Sequence, residues 1–196
     1  MKKSRAASTL AGCLLAAIAV LSAGCSSLPG GRTGMGSPAA PLAPSVAARL
    51  TPAERDFVTK AAAKGMYEVE VSRLAAERAV NPDVRSYAQR MVSHHTRANN
   101  DLIALMSAKG VAPPKGLAAD RATKLHRLAS LPASAAFDHG YVRVVGVEDH
   151  RATIALFERA RRDIKDRELK AWVDKMLAAM RGHLITAENL SASLAG

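Results

Sequence analysis

Cysteine is nearly absent from this chain: 196 residues hold two, Cys13 and Cys25. Both fall within the first twenty-five positions, so the remainder has no disulfide, no cysteine metal site and no cysteine nucleophile. No window alternates apolar and polar residues with period two, so no strand is expected. There is no nucleophile elbow, no glycine-rich phosphate loop and no His-Glu-x-x-His zinc motif, which leaves nothing to support a hydrolase. Acid is short relative to base, 17 Asp and Glu against 28 Lys and Arg. The basic residues are scattered along helices rather than gathered on one element, a poor pattern for nucleic acid.

The longest uncharged apolar run, Ala6 to Leu21, is too short for a comfortable membrane span of roughly 20 residues. It follows Lys2, Lys3 and Arg5 and precedes Leu21-Ser22-Ala23-Gly24-Cys25. Basic start, apolar stretch and small residues before a cysteine resemble a bacterial lipoprotein signal. Residues 1–24 are therefore expected to be removed and Cys25 to become the lipidated first residue. Ser26 and Ser27 after it, rather than Asp, point to an outer-membrane lipoprotein facing the periplasm. Loss of Lys2, Lys3 and Arg5 leaves 25 basic residues against 17 acids, a charge of +8. Such a surface suits anionic headgroups or cell-wall polymers, and is also what a merely solvated basic face looks like.

Residues 25–50 are rich in Gly, Pro, Ser and Ala and read as a tether. Residues 51–194 read as one all-α domain. Thr51-Pro52-Ala53-Glu54 is a helix-start signature, with Thr as cap, Pro first and Glu three residues on. It opens a helix from 52 to about 79. Asn81-Pro82-Asp83 starts a second, to about 108, which Lys109-Gly110 and Pro113-Pro114 end. Residues 118–129 suggest a short connecting helix. Leu131-Pro132 opens a third long helix, to about 163, and Asp166 caps a fourth, from 167 to about 193.

Two seams set the expected architecture. Val84, Ala88, Met91, His95, Ala98, Leu102 and Leu105 follow a 4-3-4-3 spacing, as do Leu169, Val173, Met176, Met180, His183, Ala187 and Leu190. This is the pattern of helices packed at a shallow angle. Four long helices, with two tight turns and one long connection, predict a four-helix bundle of ferritin-like topology: two antiparallel hairpins joined by a crossover. Phe57 with Phe137, and Glu68 with Glu148, hint at a faint repeat at an offset of 80.

Each seam carries one histidine among apolar residues, His95 and His183. Glu68 and Glu148 lie mid-helix on the first and third long helices. Glu68 is 13 residues before Asn81 and His95 is 14 after it; Glu148 is 17 before Lys165 and His183 is 18 after it. At ~1.5 Å per residue, all four should meet near mid-bundle. Two Glu and two His suit a first-row transition metal such as iron or zinc. The same four could instead form a hydrogen-bonded polar layer that fixes register. His150 is an added candidate, off the Glu148 seam by α-helical geometry. Met91, Met176 and Met180 read as core rather than copper ligands. His94, His126 and His139 read as surface residues.

Ferritin-like di-iron proteins use a Glu from two helices and Glu-x-x-His from the other two. The positions three before His95 and His183 are Val92 and Met180, so the resemblance carries no di-iron activity. Gly65-Met66-Tyr67-Glu68-Val69-Glu70, Met91-Val92-Ser93-His94-His95, Ala136-Phe137-Asp138-x-x-Tyr141, Glu148-Asp149-His150 and Gly182-His183-Leu184 are together similar to an exported ferritin-like family, domain of unknown function 4142, over about residues 54–190. That resemblance implies a four-helix bundle and export, with no established activity. Family members usually show Asp-His on both the second and third long helices; here the third has Asp149-His150 but the second has His94-His95.

The expectation is a lipid-anchored envelope protein with a binding or structural role. It would hold to the membrane through its anchor and to an envelope protein or cell-wall partner, with the Glu/His cluster as a candidate metal site. The competing class is a redox or metal-handling enzyme on a degenerate ferritin-like site.

Overall fold

The structure, a computed structural model, describes residues 49–196. The expected signal, Cys25 and the tether up to residue 48 lie outside the described residues. Arg49 and Leu50 fall within them, and Leu50 is buried in the core. The packed domain therefore begins one position before the expected boundary.

The described residues form helices and no strands: α1 (Pro52–Arg78), α2 (Pro82–Ala108), α3 (Ala119–Ala129), α4 (Ala135–Tyr141), a π-helical segment (Val142–Asp149), α5 (His150–Asp163) and α6 (Arg167–Ala195). None is long and apolar enough to cross a membrane. α4, the π segment and α5 run without a break and make up the expected third long helix. It starts at Ala135 rather than Pro132, because the Ser134 side chain accepts from Phe137 N and caps it there.

Helix starts follow the local chemistry. Thr51 and Glu54 exchange side-chain and backbone hydrogen bonds in a complete capping box. Asn81 caps α2 through Asp83 N and Val84 N, and Asp166 caps α6 through Leu169 N.

Two buried carboxylates then tie the helices together. Glu54 Oε1 accepts from the backbone N–H groups of Lys165 and Asp166 at 2.7 and 2.9 Å, holding the α5–α6 turn. Asp138 accepts from Val80 and Asn81 at 3.2 and 2.7 Å, holding the α1–α2 turn. Each turn is thus gripped by a helix of the other hairpin. Burial alone would raise the Glu54 carboxyl, but backbone donors from Asp166, Thr51 and Lys165 hold it down at about 2.

The core has two parts. One gathers Tyr67, Val71, Val84, Tyr87, Phe137 and Tyr141. The other gathers Phe57, Val58, Leu102, Met106, Leu169 and Val173. Between them the α2 seam opens: Val84, Ala88, Met91 and Leu102 are buried, while His95 and Ala98 are partly exposed. On α6, Leu169, Val173, Met180, His183 and Ala187 are buried, with Met176 and Leu190 partly so.

The π segment sets the register of everything after it. A wider i→i+5 turn lets buried positions recur every four residues or more, against 3.6 in an α-helix. Phe137, Tyr141, Val145 and Asp149 are all buried at that spacing. Val142, Val144, Val145, Val147 and Gly146 are poor α-helix formers crowded into six positions, so little propensity opposes the distortion. Gly146 has a second role: a Cβ there would lie 2.8 Å from the Ala187 Cβ of α6. Its lack of a side chain lets the π segment and α6 touch.

Candidate three-histidine centre

Three helices each deliver one imidazole to the same point. His95 comes from α2, His150 from the first residue of α5 and His183 from α6. Each offers one ring nitrogen, and these nitrogens lie within 4.8 Å of one another. His150 Nε2 is 3.4 Å from His183 Nδ1. His150 Nδ1 is 3.0 Å from the carbonyl oxygen of Val145. A carbonyl only accepts, so Nδ1 carries the proton, and the Nε2 of a neutral His150 presents a lone pair to the cluster.

His94 completes the group from outside. Its Nδ1 lies 2.9 Å from His183 Nε2, and the two rings stack at 5.1 Å. His94 is exposed as a residue, which matches the sequence reading, yet its ring tip buttresses a core histidine, which the sequence reading missed. The adjacent His94-His95 pair was the signal available in the sequence. His126 and His139 are exposed, as expected.

Burial sets the electrostatics. Desolvation, then the neighbouring rings of His150 and His183, hold His95 well below the ordinary histidine value. Burial also lowers His150, and with His150 and His94 beside it takes His183 down to about 3. All three rings are thus neutral near pH 7, the form that binds metal. His95 Nε2 is buried without a hydrogen-bond partner.

The two glutamates part company. Glu68 is buried and lines the cavity that His94, His95 and His183 border, but its carboxyl is not among the groups that converge within 4.8 Å, which among the described residues are the three histidines alone. Burial, with Asp149 nearby, pushes its carboxyl up to about 8. Glu148 does not join the cluster. Its side chain is 53 % exposed and pairs with Arg143 at 2.6 Å. The correction has one cause: α-helical counting placed Glu148 on the Phe137–Tyr141–Val144 face, and the π segment carries Glu148 off that face and brings Asp149 and His150 onto it.

Asp149 turns to α3 instead of the histidines, accepting from Arg121 at 3.1 Å and Lys124 at 2.7 Å. Arg121 also lies over the Tyr67 ring at 5.2 Å. The connecting helix is thereby pinned across α1 and the π segment, where it fixes the residue next to His150.

The sequence model of the family described as "Domain of unknown function (DUF4142)" matches residues 39–190. The fold is similar to the crystal structure of a DUF305 fragment from Deinococcus radiodurans, with a TM-score of 0.66 at 18% identity, over 74% of this chain and 99% of that one. At that identity the likeness speaks for the helical fold alone. No curated protein matches the chain.

Proposed function

This chain belongs to the DUF4142 family, and we propose that its domain is a metal-binding module in which His95, His150 and His183 hold one first-row transition-metal ion. The observation that carries this reading is the convergence of three neutral imidazole nitrogens from three helices within 4.8 Å. Two ligands ~2.0–2.1 Å from a tetrahedral ion stand about 3.3–3.4 Å apart. The His150–His183 pair, at 3.4 Å, has that spacing.

The competing arrangement is a hydrogen-bonded polar layer, in which His94 donates to His183, His183 to His150 and His150 to Val145. That chain satisfies three rings but leaves His95 Nε2 buried and unpaired. An orphaned buried nitrogen costs about 1–3 kcal/mol, and a metal ion supplies its partner. In the metal form His183 Nε2–H donates to His94, an outer-shell contact that fixes the tautomer presenting Nδ1 to the ion.

Nitrogen donors suit zinc, iron or copper rather than magnesium or calcium. Three protein ligands leave a coordination position open, and Glu68, on the same cavity, is the carboxylate available for it. An open position is also what favours the second reading, a redox or metal-handling enzyme. We place the module in a ferritin-like four-helix bundle, with α3 in the crossover between two hairpins. It would hang from the outer membrane by lipidated Cys25, face the periplasm, and turn its basic surface toward a cell-wall or envelope partner.

Thermal unfolding with added Zn²⁺ or Fe²⁺ tests the proposal. A ligand at a hundred times its Kd adds about 2.7 kcal/mol to stability, so the midpoint should rise by several degrees, and His95→Ala should abolish the rise. A midpoint that ignores metal favours the polar layer.

A further inference from the structure

Beside the histidines lies a cavity of about 230 Å³ walled by α1, α2, α5 and α6. Its sides are apolar: Leu102, Phe157, Trp172, Met176 and Met180. Besides His95 Nε2 of the histidine centre, three buried polar atoms without a hydrogen-bond partner belong to residues that line it: Glu68 Oε2, Asn99 Oδ1 and Trp172 Nε1. Buried polar atoms are rarely left unpaired, and here they gather around one space. Gly65 keeps that space open, since a Cβ there would come within 2.7 Å of Asn99 Oδ1.

Three basic side chains, Lys64, Arg97 and Lys175, border the cavity with two acidic ones, Glu68 and Asp101. Lys64 borders it, is partly buried, and has no salt bridge among the described residues. Lys175, also on the lining, is paired with Asp101 at 3.2 Å. Asp149 and Glu68 act on Lys64 only from beyond salt-bridge distance, and an ammonium partly removed from water without a contact partner favours an anion beside it. The Trp172 indole N–H can only donate. An engineered cavity of about 150 Å³ lined by apolar side chains holds benzene, so this one has room for a ring with a polar head.

We propose that the cavity is a binding site for a small amphipathic anion, a carboxylate with a one-ring or short-chain apolar body. The body lies among Leu102, Phe157, Trp172 and Met176, and the carboxylate is met by Lys64 and the Trp172 indole N–H. This goes beyond metal binding, because the cavity's own walls carry it.

Trp172 is the single tryptophan of the chain, so its fluorescence reports on this cavity alone. The purified full chain is titrated with benzoate and with benzyl alcohol, its neutral counterpart, before and after dialysis against a chelator. Benzoate should change the Trp172 emission saturably, at least tenfold more tightly than benzyl alcohol, in both preparations. Lys64→Gln should weaken benzoate at least tenfold and leave benzyl alcohol unaltered. Ala98→Leu, which fills the cavity from α2, should block both; helical circular dichroism checks that each variant is folded. No saturable change, equal affinity for the two probes, or benzoate binding indifferent to both substitutions would overturn the proposal. Benzoate binding that vanishes on chelation would also overturn it, by placing the anion on a metal. Failure of the metal reading alone leaves benzoate binding intact, which separates the two claims.

Discussion

His150 Nε2 stands 3.4 Å from His183 Nδ1, and the carbonyl of Val145 decides what that separation means. By accepting from His150 Nδ1, it leaves a lone pair on Nε2. His183 must then either donate a proton across the gap or share a cation with it. The choice rests with His94, which can take or give the proton on the far side of the His183 ring.

His94 is therefore expected to matter although it is exposed. His94→Ala should weaken metal binding by roughly tenfold to a hundredfold, the usual effect of losing an outer-shell partner. His126→Ala and His139→Ala should do nothing. Competition with a chromogenic chelator measures all three, and equal affinities across the series would remove His94 from the centre.

The contact between Gly146 and Ala187 should behave as a packed pair. Gly146→Ala puts a methyl group 2.8 Å from another and should cost about 1–3 kcal/mol, as overpacking does. Adding Ala187→Gly should recover part of the loss. Urea unfolding of the single and double variants checks this, and no loss in the single variant would mean the two helices stand further apart.

Glu54 gives the fold an acid dependence. Its folded value of about 2 lies below the ordinary 4.5, so its stabilisation is complete above about pH 4.5 and lost as pH falls toward 2. Glu54→Gln should cost about 1–3 kcal/mol at pH 7 and flatten the acid limb between those values. Unfolding midpoints from pH 2 to 7 decide it; parallel curves for both proteins would contradict the role.

The anchor is tested separately. Cys25→Ser should abolish lipid labelling and move the protein from the membrane fraction to the soluble periplasmic fraction. A variant that still pellets with membranes after detergent-free washing would rule out Cys25 as the anchor.

Much of this molecule can be read from its residues, and the part that cannot has an identifiable cause. Thr51, Asn81 and Asp166 announce three helix starts through capping chemistry that acts within four residues, so no tertiary contact interferes. The His95 and His183 seams are legible because α2 and α6 are regular helices with a period of 3.6 throughout. Glu148 was assigned to the cluster by the same counting, which holds only while the helix stays α. The valine-rich stretch from Val142 to Val147 weakens the α-helix, but its resolution into a π segment depends on packing against α6 through Gly146 and Ala187. His94 joins through a contact with His183, 89 residues away in sequence; the adjacent His94-His95 pair marks the position but does not name that partner. The cavity is likewise a product of helices parting around His95 and Ala98.

Metal content by elemental analysis tests the central claim most directly, measured on the purified chain, His150→Ala and Glu148→Gln after exposure to one equivalent of Zn²⁺ and removal of the excess. The three-histidine centre predicts about one ion per chain in the parent protein and in Glu148→Gln, and none retained by His150→Ala. Loss of metal in Glu148→Gln with retention in His150→Ala, or no metal in any of the three, would contradict it.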